Sequence, residues 1–193
     1  MKHIVWYNQI IIVCIAMMIL PHFANADPTV PFQLRNALTG KCLEVANGSP
    51  DNSAAIQQNS CRRAGDSLLD AQLFFYLARR RTDGGPGAFH VRSYLNLNKC
   101  FDVTNASHNN GTPIQQYSCR DGDDPLVEAQ LWRPRSIRGH TQFQNVLSQK
   151  CLDVTNASRR DGVRIQQYSC RDDGDALVGA QLWNEVFWNS KSF

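Results

Sequence analysis

The sequence lacks the signals that mark most enzymes. It has no G-x-S-x-G elbow, no H-E-x-x-H pair and no phosphate-binding P-loop. Beyond the N-terminal stretch the only histidines are His90, His108 and His140, none of them in a motif or at a repeated position. No C-x-x-C pair and no histidine cluster is present, which argues against a zinc site or any other metal. The net charge is only +3 and is dispersed, so nothing points to nucleic acid. After residue 20 no apolar run is long enough to cross a bilayer, which takes about 20 residues. The expectation is a non-enzymatic protein with no cofactor and no transmembrane segment.

What remains is globular. Of the 193 residues 42% are hydrophobic and 19% charged, and four tryptophans supply bulk for a core. The N-terminus reads as a targeting segment. Lys2 and His3 precede the apolar run Ile10–Leu20, then Pro21, then Ala24-Asn25-Ala26 as a small-x-small cleavage site. Residues 1–26 are therefore expected to be a secretory signal peptide, a retained anchor being the alternative, and residues 27–193 a single secreted, extracellular domain. Of seven cysteines, Cys14 lies in that leader, which leaves an even set of six.

Those six sit in an internal repeat. Lys99–Trp132 and Lys150–Trp183 are identical at 24 of 34 aligned positions without a gap, and Lys41–Phe74 matches the last copy at 18 of 34. Repeats are expected over about 32–78, 89–135 and 140–188. The first two copies are spaced wider than the last two. The extra residues fall around Arg79-Arg80-Arg81 and Gly84-Gly85-Pro86-Gly87, which read as a solvated loop tip or, alternatively, a contact for acidic groups.

Six cysteines allow fifteen pairings. Repeat symmetry selects Cys42–Cys61, Cys100–Cys119 and Cys151–Cys170, each pair nineteen residues apart. Each closed loop contributes roughly 3 kcal/mol by constraining the unfolded chain.

Within a copy the periodicity is that of short strands. In Cys151-Leu152-Asp153-Val154 the two aliphatics face one way and Asp153 the other; in Arg164–Tyr168, Ile165 turns inward and Gln166 and Tyr168 outward. Asn156, Gly162 and Gly174 punctuate the turns, Gly111 and Gly162 suit a positive φ, and Ser53 departs from them. Ala180-Gln181-Leu182-Trp183 reads as the last strand. Three units, each contributing one large aromatic (Phe74, Trp132, Trp183), predict an all-β fold, a β-trefoil with an internal disulfide in each repeat.

Three copies of C-x-[DE]-V, I-Q-Q-x-S-C and Q-L-[WF] make the chain resemble the ricin B-chain-type, or QxW, β-trefoil lectins from about Phe32 to Trp188. The resemblance implies carbohydrate binding, with Asp102, Gln115, Tyr117 and Gln130 in the second copy and Asp153, Gln166, Tyr168 and Gln181 in the third holding a galactose-like or xylose-like sugar. The chemistry suits those types: a ring stacks on the sugar's C–H face, a carboxylate accepts from two hydroxyls, and an amide both donates and accepts. The first copy has Glu44 and Asn59 in place of the acid and the ring, and is expected to be structural or very weak. Galactose-binding members often carry Asn before the last Gln, where Ala71, Ala129 and Ala180 stand here.

Asp66, Asp124 and Asp175 recur at one offset and are either turn acceptors or substitute sugar ligands. Trp132 and Trp183 read as core, and Gln130 and Gln181 as partly backbone anchors. Sequons at Asn47, Asn105, Asn110 and Asn156 are turn asparagines or glycan acceptors. Partners are glycans, with a toxin or enzyme subunit as the alternative association and a protein-binding scaffold or inhibitor behind it.

Overall fold

The structure, a computed structural model, describes residues 30–79 and 87–188. The expected signal peptide with Cys14, Arg80 and Arg81 with the residues to Pro86, and the last residues to Phe193 lie outside them. Among the described residues there are twelve strands and no α-helix, and no helix is long and apolar enough to cross a membrane. The first copy supplies β1 (Phe32–Asn36), β2 (Cys42–Val45), β3 (Ile56–Asn59) and β4 (Phe74–Arg79). The second supplies β5 (Ala88–Ser93), β6 (Lys99–Val103), β7 (Ile114–Ser118) and β8 (Trp132–Ile137), and the third β9 (His140–Asn145), β10 (Cys151–Val154), β11 (Val163–Tyr168) and β12 (Trp183–Phe187).

Pairing is antiparallel throughout. Within copies β2 pairs β3, β6 pairs β7 and β10 pairs β11; between copies β4 pairs β5, β8 pairs β9 and β12 returns to β1. The last seam runs from Phe32 opposite Phe187 to Asn36 opposite Trp183, and the Trp188 N–H donates to the Pro31 carbonyl at 2.7 Å. The apolar tail thus closes the trefoil onto its first strand. The three disulfides join the expected cysteines, with Cα atoms 4.9, 5.0 and 4.9 Å apart.

The core follows from the alternation. Leu43, Val45 and Ile56, then Phe101, Val103 and Ile114, then Leu152, Val154 and Ile165 are fully buried around Phe74, Trp132 and Trp183. Burying each large ring contributes about 2–3 kcal/mol. Before it, the chain differs from expectation: Val178–Gln181 is a 3-10 turn, as are Leu69–Gln72 and Val127–Gln130, and the strand starts only at Trp183. The turn carries the glutamine inward, where it is fully buried.

A cycle of glutamines stitches the copies together. Gln58 Nε2 donates to the Ser158 and Arg160 carbonyls at 2.6 and 2.8 Å, Gln116 to Ser49 and Asp51 at 2.6 and 2.8 Å, and Gln167 to Ser107 and Asn109 at 2.8 and 3.0 Å. The N–H groups of Ser53, Gly111 and Gly162 return bonds of 2.9 Å to the main-chain carbonyls of Gln116, Gln167 and Gln58. That aim needs a left-handed backbone, and Ser53 adopts it too, at φ 66° beside 79° and 72° for the glycines.

The sequon asparagines Asn47, Asn105 and Asn156 are exposed, also at positive φ. Asn110 instead accepts from the Ser169 N–H at 2.8 Å across a copy boundary.

The cycle is uneven. Thr39 and Ser148 hydroxyls donate to Gln58 Oε1 and Gln167 Oε1 at 2.9 and 2.6 Å, whereas Gln116 Oε1 is buried with no donor among the described residues. Gln167→Ala is expected to cost about 2–4 kcal/mol and Gln116→Ala about 1 kcal/mol less, the value of the missing bond, as read from urea unfolding.

Candidate functional site

The candidate residues converge on one buried carboxylate per copy. In the second copy Asp102, on β6 and only 3% exposed, accepts from Gln115 Nε2 at 3.0 Å and from Gln130 Nε2 at 2.9 Å, one bond to each oxygen. In the third, Asp153 on β10 is 2% exposed and accepts from Gln166 at 2.8 Å and Gln181 at 3.1 Å. Strand register dictates this: Asp102 lies opposite Gln115, and Asp153 opposite Gln166. Gln130 and Gln181 are anchors as well as partners. Each donates to a serine carbonyl (Ser118, Ser169) and accepts from the N–H of the residue after the second cysteine.

That residue is an arginine in every copy, and it decides the shape of the site. Arg120 and Arg171 fold back so that their guanidinium carbons lie 5.5 and 5.3 Å from the centroids of Tyr117 and Tyr168. Nε stands 3.7 and 3.8 Å from Asp102 and Asp153, and Nη1 bonds Asp124 and Asp175 at 3.0 Å. Asp124 and Asp175 also accept the N–H of Leu126 and Leu177 at 2.8 and 2.7 Å, which makes them turn acceptors. Sequence reasoning passed over the arginines. The signal was there: an Arg after each second cysteine, four residues before each recurrent Asp, spaced to form an ion pair.

The sequence profile of the ricin-type β-trefoil lectin domain matches residues 30–176, and this match decides the family. The chain belongs to the ricin-type β-trefoil lectin domain family. A designed three-fold symmetric protein, ThreeFoil, is 30% identical, with a TM-score of 0.65 over 81% of this chain and 97% of its own. An exo-β-1,3-galactanase from Clostridium thermocellum is 27% identical, with a TM-score of 0.67; the alignment covers 83% of this chain and 30% of that longer enzyme. The C-terminal half of an earthworm R-type lectin, solved with GalNAc, has a TM-score of 0.55 at 17% identity, covering 82% of this chain and 99% of its own, which speaks to the fold alone. No curated protein sequence matches the chain.

In this lectin domain the first copy is built differently. Glu44, one methylene longer than Asp, reaches the arginine: Arg62 Nε donates to Oε2 at 2.7 Å, and Gln57, Asn59 and Gln72 add bonds of 3.1, 3.0 and 3.0 Å. No ring lies under Arg62, since Asn59 stands opposite Cys42 where the tyrosines stand opposite Cys100 and Cys151.

The rims differ too. Leu68 is half-buried and covers Gly48, where a Cβ would come within 2.9 Å of its Cδ2. Ala106 and Ala157 carry that Cβ, and Leu126 and Leu177 stand out in solvent, 42% and 45% exposed.

Charge compensation separates the acids. Burial pushes the Glu44 carboxyl up, but bonds from Arg62, Asn59, Gln72 and Gln57 outweigh it and hold it below the ordinary glutamate value. At Asp153 burial dominates and raises the carboxyl above the ordinary aspartate value, against bonds from Gln166 and Gln181 and the more distant Arg171. A lowered carboxyl adds stability above its unfolded value that is lost as pH falls through its folded one. A raised carboxyl adds stability at low pH that is lost as pH rises. At pH 7 Glu44→Gln is expected to cost about 2 kcal/mol and Asp153→Asn about 1 kcal/mol or less. Between pH 7 and 4 the first penalty shrinks and the second grows, which denaturant melts at the two pH values measure.

Proposed function

We propose that the chain is a secreted lectin that binds neutral, galactose-like sugars through its second and third copies. The observation that carries this reading is the doubled constellation of a carboxylate held by two amides and joined through an arginine to a tyrosine ring. Each Asp oxygen has acceptor capacity left beyond its one amide bond. Tyr168, 36% exposed, offers a face for the C–H side of a sugar once the guanidinium shifts outward along its pair with Asp175. Ala129 and Ala180 give no side-chain hydrogen bond, so the arginine supplies the donor that galactose-binding relatives draw from Asn.

The three disulfides fit an oxidising, extracellular setting. Two sites on one rigid body gain strength on a glycan-coated surface by multivalency. A second reading, a lectin subunit that targets a catalytic protein, is favoured by the likeness to part of the galactanase. Co-elution of an enzymatic chain from the native source separates the two.

The oxidised protein on a glycan array is expected to bind a defined neutral class, and Asp102→Ala with Asp153→Ala to lose it by more than tenfold with the circular dichroism unchanged. Binding that survives the double substitution, or no binding by the folded wild type, sinks the paired-site reading.

A further inference from the structure

The first copy lacks the stacking ring, yet an open cavity of about 340 Å³ lies there, lined by Asn59, Ser60, Arg62, Arg63, Ala64 and Asp66, with Cys61 at its side. Its volume is at the small end of ligand pockets. Its charge sets it apart from the other copies. Arg63 occupies the position of Asp121 and Asp172. Arg62, Arg63 and Asp66 give that loop one net positive charge, whereas one arginine against three aspartates leaves each of the others with two negative charges.

The inner groups of the cavity are committed. Glu44 and Asp66 hold Arg62, Asn59 Nδ2 donates to Glu44 at 3.0 Å, and the Ser60 hydroxyl bonds Asp161, itself paired with Lys41 at 2.6 Å. Arg63 is exposed at the mouth with no ion pair among the described residues. A bare guanidinium beside a recess whose acids are already paired with Arg62 is the chemistry that takes an anionic oxygen group in bidentate fashion.

We propose that the first copy is a binding site of different chemistry, taking the carboxylate or sulfate of an acidic saccharide. Arg63 is the anchoring residue, and the space left by Asn59 receives the ring that bears the charge. The site extends the lectin reading to a copy that its sequence marks as degenerate, but shares no residue with the sites of the other two. Asp66 faces the same space, and its bond to Arg62 keeps it from repelling the ligand. The second and third copies, with Asp121 and Asp172 at the equivalent position, refuse the same group.

Isothermal titration of the full oxidised chain with trigalacturonate, a sulfated disaccharide, inorganic sulfate and lactose tests this. At least one acidic saccharide is expected to bind, weakening as salt is raised from 50 to 300 mM by screening that shortens the Debye length below about 10 Å. Arg63→Asp and Asn59→Tyr, which install the residue types of the other copies, are each expected to weaken it roughly tenfold and leave lactose unaffected. Binding of lactose but of neither acidic saccharide overturns the proposal and leaves the paired-site reading standing; the reverse pattern does the opposite. Acidic binding that survives both substitutions, or is lost instead on Arg80→Ser with Arg81→Ser, places the contact in the basic loop and also overturns it. So does inorganic sulfate binding as tightly as the saccharides.

Discussion

A carboxylate buried at the centre of each copy must be compensated, and much of the local architecture is the means of doing so. Glu44, Asp102 and Asp153 each sit on a strand beside the first cysteine of a bridge. Each draws in an amide from the neighbouring strand (two for Glu44), another from the 3-10 turn before the large aromatic, and a guanidinium from the loop after the second cysteine. Remove the charge and three chain segments lose their common partner. A buried anion in this position sets which segments meet more than it adds net stability. Further out, Gln33 and Gln142 each donate to the inner glutamine at 2.9 Å, while the second copy has the buried His90 on the corresponding strand.

The repeat, the bridges and the trefoil were legible in the sequence because they are matters of period and spacing. Phe74, Trp132 and Trp183 fill the core as their alternation implies, and Asp175 caps its turn as a recurrent turn aspartate does. What escaped was contact between side chains from different segments. Asp153 is on the face opposite Leu152, but nothing in a strand pattern says that Arg171 will fold over it, so its burial was not foreseeable. The start of the last strand slipped because Gln181 must turn inward to reach Asp153, and only a 3-10 turn puts it there. Ser53 looked like a departure from Gly111 and Gly162, yet the bond to Gln116 demands the same backbone from any residue in that place. The recess at Asn59 was invisible for a related reason: a lost ring reads as degeneration until the space it leaves is seen beside Arg63.

The copies have therefore diverged by small steps with coupled results. One methylene in Glu44 brings Arg62 within full hydrogen-bonding distance, where Asp102 and Asp153 leave a gap of 3.7 and 3.8 Å. Gly48 lets Leu68 settle, while a single methyl on Ala106 and Ala157 accompanies the exposed leucines beside the tyrosine sites. The direct carboxylate–arginine bond of the first copy and the wider gaps of the other two thus arise on one repeated strand plan.

The trefoil is a ring with three seams, and they are not mechanically alike. At β4–β5 and β8–β9 the paired strands are consecutive in the chain, with six register pairs each. The β12–β1 seam has five and no such adjacency, so its closure spans almost the whole chain and carries the largest loop-entropy cost. It is the place where the ring is expected to open first under tension or heat. Amide exchange is expected to be fastest along the outer ends of β1 and β12, while the glutamine cycle still holds the three copies about their axis.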